Sequence, residues 1–416
     1  MPTDPSSDFS REHTRPLFAV FSATFFVRFA FGIVLAVFAS YILMRSSGLA
    51  QSEVGEAGIV SAMASVGEFS TVLFSGAAAD RYGRFPVLFA GMGGAAILLA
   101  IVATTRSPYA LGALNFLFGI ASGAILAPSL AIVAARAAPD SVGFEMGRFD
   151  AMNLFGWIAG FAFGFGILAV VPNRSLSLAF VIAAASLTFG LLLAASLVRG
   201  VPRRNGARRS PLAELIRPAF RRSVLLVTTP WLVIYMLIGT ALVFLATSAT
   251  GVGINPIYLA LAIGAGGTLL VVSQPFFGRL ADRTGRMRMM TVGAIGFVAV
   301  MTFASLLVAF GPVRPLLIGI GVSIVAALAY GPAALAALAD LTTEVGRATT
   351  MAIYSLTISL GMVIGLVAST GLYDVLGKVG LYLFFGAVAT ALVVLTIARY
   401  RDLATVALPR ITTPAR

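Results

Sequence analysis

The sequence predicts an all-α protein that crosses a membrane many times, and three observations carry that prediction. Of its 416 residues, 59% are hydrophobic and only 11% charged, whereas a soluble domain carries about 25% charged residues because water must be faced by something. Apolar runs of about 20 residues recur along the chain, the length a helix needs to cross a hydrocarbon core about 30 Å thick. The runs are continuous rather than alternating, which argues against a β-barrel.

Twelve such runs fall near 16–44, 55–80, 86–104, 108–136, 147–171, 176–198, 223–249, 256–281, 288–310, 314–339, 347–372 and 379–399. The first follows a polar stretch, 1–15 (MPTDPSSDFSREHTR), and is too long for the core of a cleavable signal peptide. The 43 Gly and 19 Pro are tolerable, since both are commoner in membrane helices than in soluble ones. Between the sixth and seventh runs lies the longest polar segment, 199–222 (RGVPRRNGARRSPLAELIRPAFRR), with eight arginines. Within it, Ser210-Pro211 has the form of a helix cap followed by proline at the first helical position, so 211–220 is either a short surface helix or a flexible tether. The expected organisation is a tail (1–15), a six-helix bundle (16–198), a basic central loop (199–222), a second six-helix bundle (223–399) and a tail (400–416).

The formal net charge is +13, and its location says why. The even-numbered connections and both tails hold 23 of the 29 Lys and Arg; the odd-numbered connections hold Arg45, Arg106, Arg174, Arg314 and Lys378, and Arg28 lies mid-span. This asymmetry places both termini and the central loop in the cytoplasm of a cell membrane. It makes anionic lipid headgroups, rather than nucleic acid, the partners of the arginines. Cysteine is absent and the sole histidine, His13, lies in the N-terminal tail, so no metal or other cofactor is expected. No nucleophile–base set or Walker-type phosphate loop is evident, which argues against an enzyme and against ATP-driven pumping. A monomer is expected.

The halves repeat. GAAADRYGR at 76–84 recurs as GRLADRTGR at 278–286, and EMGRFDAM at 145–152 recurs as EVGRATTM at 344–351. Two motifs in the same order indicate a duplicated six-helix unit, an arrangement in which a substrate site lies near the midplane between repeats. The G-x-x-x-D-R-x-G-R loop after the second span, its second copy after the eighth, and the basic central loop resemble the major facilitator superfamily over about residues 15–400. Gly76 and Gly278 would let helix backbones approach closely, and Gly83 and Gly285 would allow a tight turn. Asp80 and Asp282 could accept hydrogen bonds from arginines or from a helix N-terminus. The resemblance implies that Asp80, Arg81 and Arg84 form one cytoplasmic latch and Asp282, Arg283 and Arg286 its counterpart, with Glu145, Arg148, Glu344 and Arg347 as candidate partners. The alternative is that these charges anchor loops in water. Glycine stripes at Gly156, Gly160 and Gly164, at Gly361 and Gly365, and at Gly264, Gly266 and Gly267 fit either a sliding boundary or static packing.

Two charges lie deep. Arg28 is about 20 Å along its helix from Arg15, and Glu68 about 18 Å from Asp80, which brings both to the same level near the midplane. Each costs about 2.5–3.5 kcal/mol at a helix centre, so neither should face lipid. Three readings remain open: Glu68 loads and unloads protons while Arg28 competes for its charge; Arg28 binds an anionic substrate group and Glu68 holds it; or the two form a structural pair. Asn115, Asp150, Asn153 and Trp157 are further candidates on the first-half wall of a cavity, with a capping role open for Asp150. The second half has no deep charge and offers Tyr235, Thr240, Gln274, Tyr330 and Tyr354.

Such a cavity suits a hydrophobic or amphipathic compound better than a polyhydroxylated sugar. Proton-coupled export of such a compound by alternating access leads, with transport of a monocarboxylate or other organic anion on Arg28 as the alternative. A membrane receptor or scaffold that does not transport is the reading from another class. Two departures weaken an antiporter assignment: Asn115 stands where resembling drug–proton exporters carry an arginine, and Phe161 where their G-x-x-x-G-P pattern has proline.

Overall fold

The computed structural model describes residues 5–45, 53–170, 176–199, 211–251, 256–310, 313–342 and 346–399. It is helical throughout, with no strand among the described residues. The helices are α1 (Pro5–Arg45), α2 (Glu53–Tyr82), α3 (Arg84–Thr104), α4 (Pro108–Arg136), α5 (Val142–Val170) and α6 (Leu176–Leu197). A short α7 (Leu212–Ile216) and a 3₁₀ turn (Arg217–Phe220) lead to α8 (Arg222–Gly251), α9 (Pro256–Thr284) and α10 (Arg286–Phe310). The chain closes with α11 (Arg314–Ala327), α12 (Tyr330–Asp340) and α13 (Arg347–Ala398). Among the described residues, eight helices are long and apolar enough to cross a membrane. They are Thr14–Phe38, Arg84–Thr104, Pro108–Arg136, Val142–Leu168, Leu176–Leu197, Arg286–Phe303, Arg314–Asp340 and Arg347–Ala368.

The segmentation differs from the expected runs in three places. The tenth run is broken after Leu328-Ala329 into α11 and α12. Pro332 explains the break, because it cannot donate to the Leu328 carbonyl and its ring clashes there. The eleventh and twelfth runs share one helical element, α13. Leu372 and Val388 both pack on Met236, whereas sixteen residues of straight helix would hold them about 24 Å apart, so the chain doubles back within α13. In the central loop Pro211, not Ser210, occupies the N-cap of α7, with no side-chain capping bond. The segment is docked rather than a tether: Leu215 and Ala219 are buried, and α7 packs on α2 and α13.

One apolar core is built from α1, α3, α4 and α6 around Phe31, Leu88, Phe118 and Phe180. A second joins α4, α5, α8, α10, α12 and α13 around Phe149, Met290, Leu335 and Ile353. Between them run two seams, α2 along α13 and α5 along α9. The stripe Gly156, Gly160 and Gly164 does not line a seam; it packs on Phe25, Arg28, Phe29 and Ala36 of α1, and Gly361 packs on α8. Static packing therefore accounts for both.

Candidate functional site

Each seam is tied at one end by an aspartate seated on a helix N-terminus. Asp80, at the end of α2, is buried and accepts the backbone N–H groups of Ala348 (3.0 Å) and Thr349 (2.9 Å) and the Thr349 hydroxyl (2.8 Å), all in the first turn of α13. Asp282, at the end of α9, accepts the N–H groups of Gly143 and Phe144, both at 2.9 Å, in the first turn of α5. Free N–H groups and the helix dipole make such a first turn a natural seat for a carboxylate. The approach depends on missing side chains. A Cβ on Gly76 would lie 2.8 Å from the Ala348 carbonyl oxygen, and one on Gly143 would lie 2.6 Å from that of Gly278. Gly83 and Gly285 turn the chain at φ 104° and 100°, a region that side chains resist.

The arginines have a different task. Arg84 Nη1 donates to the Ala131 carbonyl near the end of α4 (2.9 Å), and Arg286 Nη1 to the Ala336 carbonyl near the end of α12 (2.8 Å). Cations suit helix C-termini. Arg286 also pairs with Asp282 at 3.6 Å and with Asp340. Each repeat thus fastens a helix start with its aspartate and a helix end with its second arginine.

Other expected latch partners are placed elsewhere. Glu145 and Arg148 pair with each other within α5 at 3.1 Å, and the Arg148 guanidinium lies over the Phe21 ring. Neither is a partner of Asp80 or Asp282, which are held by first-turn N–H groups together with the Thr349 hydroxyl and Arg286 respectively. Arg81 is exposed and lies over Tyr82. Arg283 is exposed and lines a groove of about 310 Å³ with Asp140, Ser141, Phe144, Arg279 and Asp282. Arg347 opens α13, and Glu344 lies outside the described residues. The two E-x-G-R copies are therefore not equivalent: one lies inside α5, whereas α13 begins only at the arginine of the other.

Deeper between the seams lies a buried polar cluster. Arg28 on α1, Glu68 on α2, and Asp150 and Asn153 on α5 are all at most 7% exposed. Arg28 Nε donates to Asn153 Oδ1 (2.7 Å), and Asn153 Nδ2 donates to Asp150 Oδ1 (3.4 Å). The guanidinium also lies 5.7 Å from the ring centres of both Phe31 and Trp157. Among the described residues no ion pair joins Arg28 to Glu68, although their charges are within electrostatic range. Glu68 instead accepts a 2.8 Å hydrogen bond from Ser355 across the α2–α13 seam. One turn further on, the buried Ser359 hydroxyl lies near the same carboxylate, outside full hydrogen-bond geometry.

The second-half candidates divide. Tyr235 and Tyr354 lie within electrostatic range of each other and of the charges of Arg28 and Asp150. Gln274 is buried on α9, its Nε2 donating to Leu270 of its own helix (3.3 Å) and its Oε1 without a partner. Tyr330 ties α12 to α8 through the Val227 carbonyl (2.7 Å), away from the cluster. Asn115 donates to the Val60 carbonyl (2.9 Å) and lines a void of about 10 Å³ with Phe31, Ser65 and Phe118. The side chain of Thr240 lies outside the described residues. Sequence reasoning missed Ser355 and Ser359, although two serines four apart in an apolar span were a readable signal. It also missed Trp231, whose ring centre lies 4.5 Å from that of Tyr354, and Gly331, which faces Asp150.

The family model described as Major Facilitator Superfamily matches residues 20–310 and 243–413. No curated protein matches the sequence. Among solved structures, the human organic anion transporter MFSD10 (TETRAN) is 18% identical, covering 93% of this chain and 99% of that one with a TM-score of 0.69. The proton:xylose symporter XylE, bound to 6-bromo-6-deoxy-D-glucose, is 15% identical, covering 94% and 96% with a TM-score of 0.69. At such identities the likeness is one of fold.

Proposed function

The chain belongs to the major facilitator superfamily, and on that premise we propose a secondary transporter that works by alternating access and couples export of a hydrophobic or amphipathic compound to protons. The observation that carries the coupling is the Ser355–Glu68 bond. A buried carboxylate of one half is held by a hydroxyl of the other, so gain or loss of its proton changes the strength of a contact between halves. Arg28 is the counter-charge, free to act through space because Asn153, not Glu68, occupies its Nε. The twelve spans fall six and six about 199–222, both termini lie in the cytoplasm, and the aspartate-capped seams close the cytoplasmic side.

One observation favours a second reading, in which Arg28 takes an organic anion. Its only hydrogen bond among the described residues is to Asn153, leaving both Nη groups for a ligand, and MFSD10 is an organic anion transporter.

The test is flux in liposomes containing a pH-sensitive dye, with pooled lipophilic cations, amphipathic lipids and monocarboxylates, comparing wild type with Glu68→Gln and Arg28→Ala. Substrate-dependent proton movement that vanishes in a folded, substrate-binding Glu68→Gln variant supports the coupling role. Full coupled flux in that variant makes Glu68 structural. Monocarboxylate flux abolished by Arg28→Ala selects the second reading.

A further inference from the structure

The α5–α9 seam carries a second buried acid whose surroundings do not match it. Asp150 Oδ1 is taken by Asn153, while Oδ2 points at the backbone of Gly331 on α12. A Cβ built on Gly331 would lie 2.7 Å from Asp150 Oδ2 and 3.5 Å from Gln274 Oε1. Two oxygens from two different helices thus converge on one notch that exists because residue 331 has no side chain. Gln274 is 2% exposed and its Oε1 accepts no hydrogen bond, an arrangement that leaves the loss of its water uncompensated. Gly331 itself is only half-buried, so the notch opens on a space rather than on packed protein. The charge balance points the same way. Arg28 from α1 stands within electrostatic range of Asp150, the neutral Tyr235 from α8 and Tyr354 from α13 sense the Asp150 charge, and Glu68 from α2 acts on Arg28 and Tyr235 beyond them. With Asp150 and Glu68 both ionised, one cation stands against two acids, an excess negative charge that a buried cluster does not hold unpaired.

We infer that the Asp150–Gln274 notch over Gly331 is the head-group subsite for a protonated amine, which makes the exported compound an amphipathic cation bearing at least one N–H. This rests on the export reading above and gives its substrate a chemistry. The two side-chain atoms that converge on the notch are both acceptors, so a positive charge alone does not satisfy it; the ligand must also donate. When no amine is bound and Glu68 is ionised, a proton on Asp150 neutralises the excess charge. An ammonium ion entering the notch displaces that proton to solvent, one for one, so the neutral carboxyl becomes a carboxylate paired with the ammonium and the charge of the cluster is conserved.

The experiment uses the full chain in lipid nanodiscs and three probes on one apolar cage: 1-aminoadamantane, its N,N,N-trimethyl analogue and adamantane-1-carboxylate. Calorimetric titration in buffers of different ionisation enthalpy counts the protons released. Wild type is expected to bind the primary amine with release of about one proton, and the trimethyl analogue at least about 10-fold more weakly, as loss of a charge-assisted hydrogen bond requires. Asp150→Asn, Gln274→Leu and Gly331→Ala are each expected to weaken the amine about 10-fold or more and to close the gap to the trimethyl analogue. Asp150→Glu retains proton release and controls for folding, together with unchanged melting of each variant. Equal binding of amine and trimethyl analogue, amine binding unmoved in folded Asp150→Asn and Gly331→Ala, or no binding of the amine overturns the inference. Binding of the carboxylate alone, lost in Arg28→Ala, overturns it while leaving transport intact. Failure of the export reading is seen separately, as amine binding that persists without amine-dependent proton movement in liposomes.

Discussion

Asp80→Asn should unlatch the α2–α13 seam without dismantling either helix. The carboxylate accepts three hydrogen bonds from the first turn of α13, at 2.8–3.0 Å. Asparagine keeps one acceptor oxygen, turns the other position into a donor that faces donors, and removes the charge from the helix dipole. A hydrogen bond to a charged group contributes about 1.5–3 kcal/mol, and the charge–dipole attraction adds about 0.3–1 kcal/mol. Loss of one such bond and of the attraction therefore shifts the closed–open balance by about 2–4 kcal/mol, or roughly 30- to 1000-fold. The chain has no cysteine, so spin labels at Arg81→Cys and Arg283→Cys, both exposed, report on the two halves without background. Pulsed dipolar spectroscopy should show a dominant short distance in the parent and a longer population in Asp80→Asn. Adding Asp282→Asn should enlarge it. A distance distribution identical to the parent, in a variant that melts normally, would refute the idea that Asp80 holds the seam.

Two further expectations concern the backbone. Gly278→Ala places a methyl group against the Gly143 carbonyl, a contact that cannot yield because both partners are main chain. Overpacking of this kind costs about 1–3 kcal/mol, and the spin-label pair should again report separation of the halves. Pro332→Ala restores an N–H that can bond to the Leu328 carbonyl and fuses α11 with α12. That swings Tyr330 from its 2.7 Å bond to Val227, which a changed Trp231 emission in a Trp157→Phe background would show, the chain having two tryptophans; unchanged emission would place the cause of the break outside Pro332.

How much of this was legible in the sequence depends on range. Run length is a local statistic, so a chain of many apolar membrane-length helices was readable from it alone. The glycines of the duplicated loop were readable because a tight turn and a close helix crossing each demand the smallest residue. The partners of Asp80 and Asp282 were not, because a backbone N–H has no letter of its own: residues 348, 349, 143 and 144 became ligands by starting a helix. Glu68 was legible as an anomaly of hydropathy, but its partner Ser355 lies 287 positions away, and the expected pairing with Arg28 lost to a nearer amide on α5. The break at Pro332 was not legible from the proline rule alone, since Pro16, Pro128, Pro230 and Pro275 lie inside helices that continue through them. The fold-back within α13 was legible as the interruption of the apolar runs at 373–378, where Asp374 and Lys378 stand, although no proline marks it.

Helix α13 meets two buried acids of α2: Thr349 binds Asp80 and Ser355 binds Glu68. Six residues separate those positions, about 9 Å of helix. A rod that short does not stretch, so sliding it to release one carboxylate withdraws the hydroxyl from the other in the same stroke. The seam therefore works as a clutch with two teeth on one shaft. Whatever disengages the surface tooth leaves the inner acid short of a donor, and a proton is the smallest thing that can take its place.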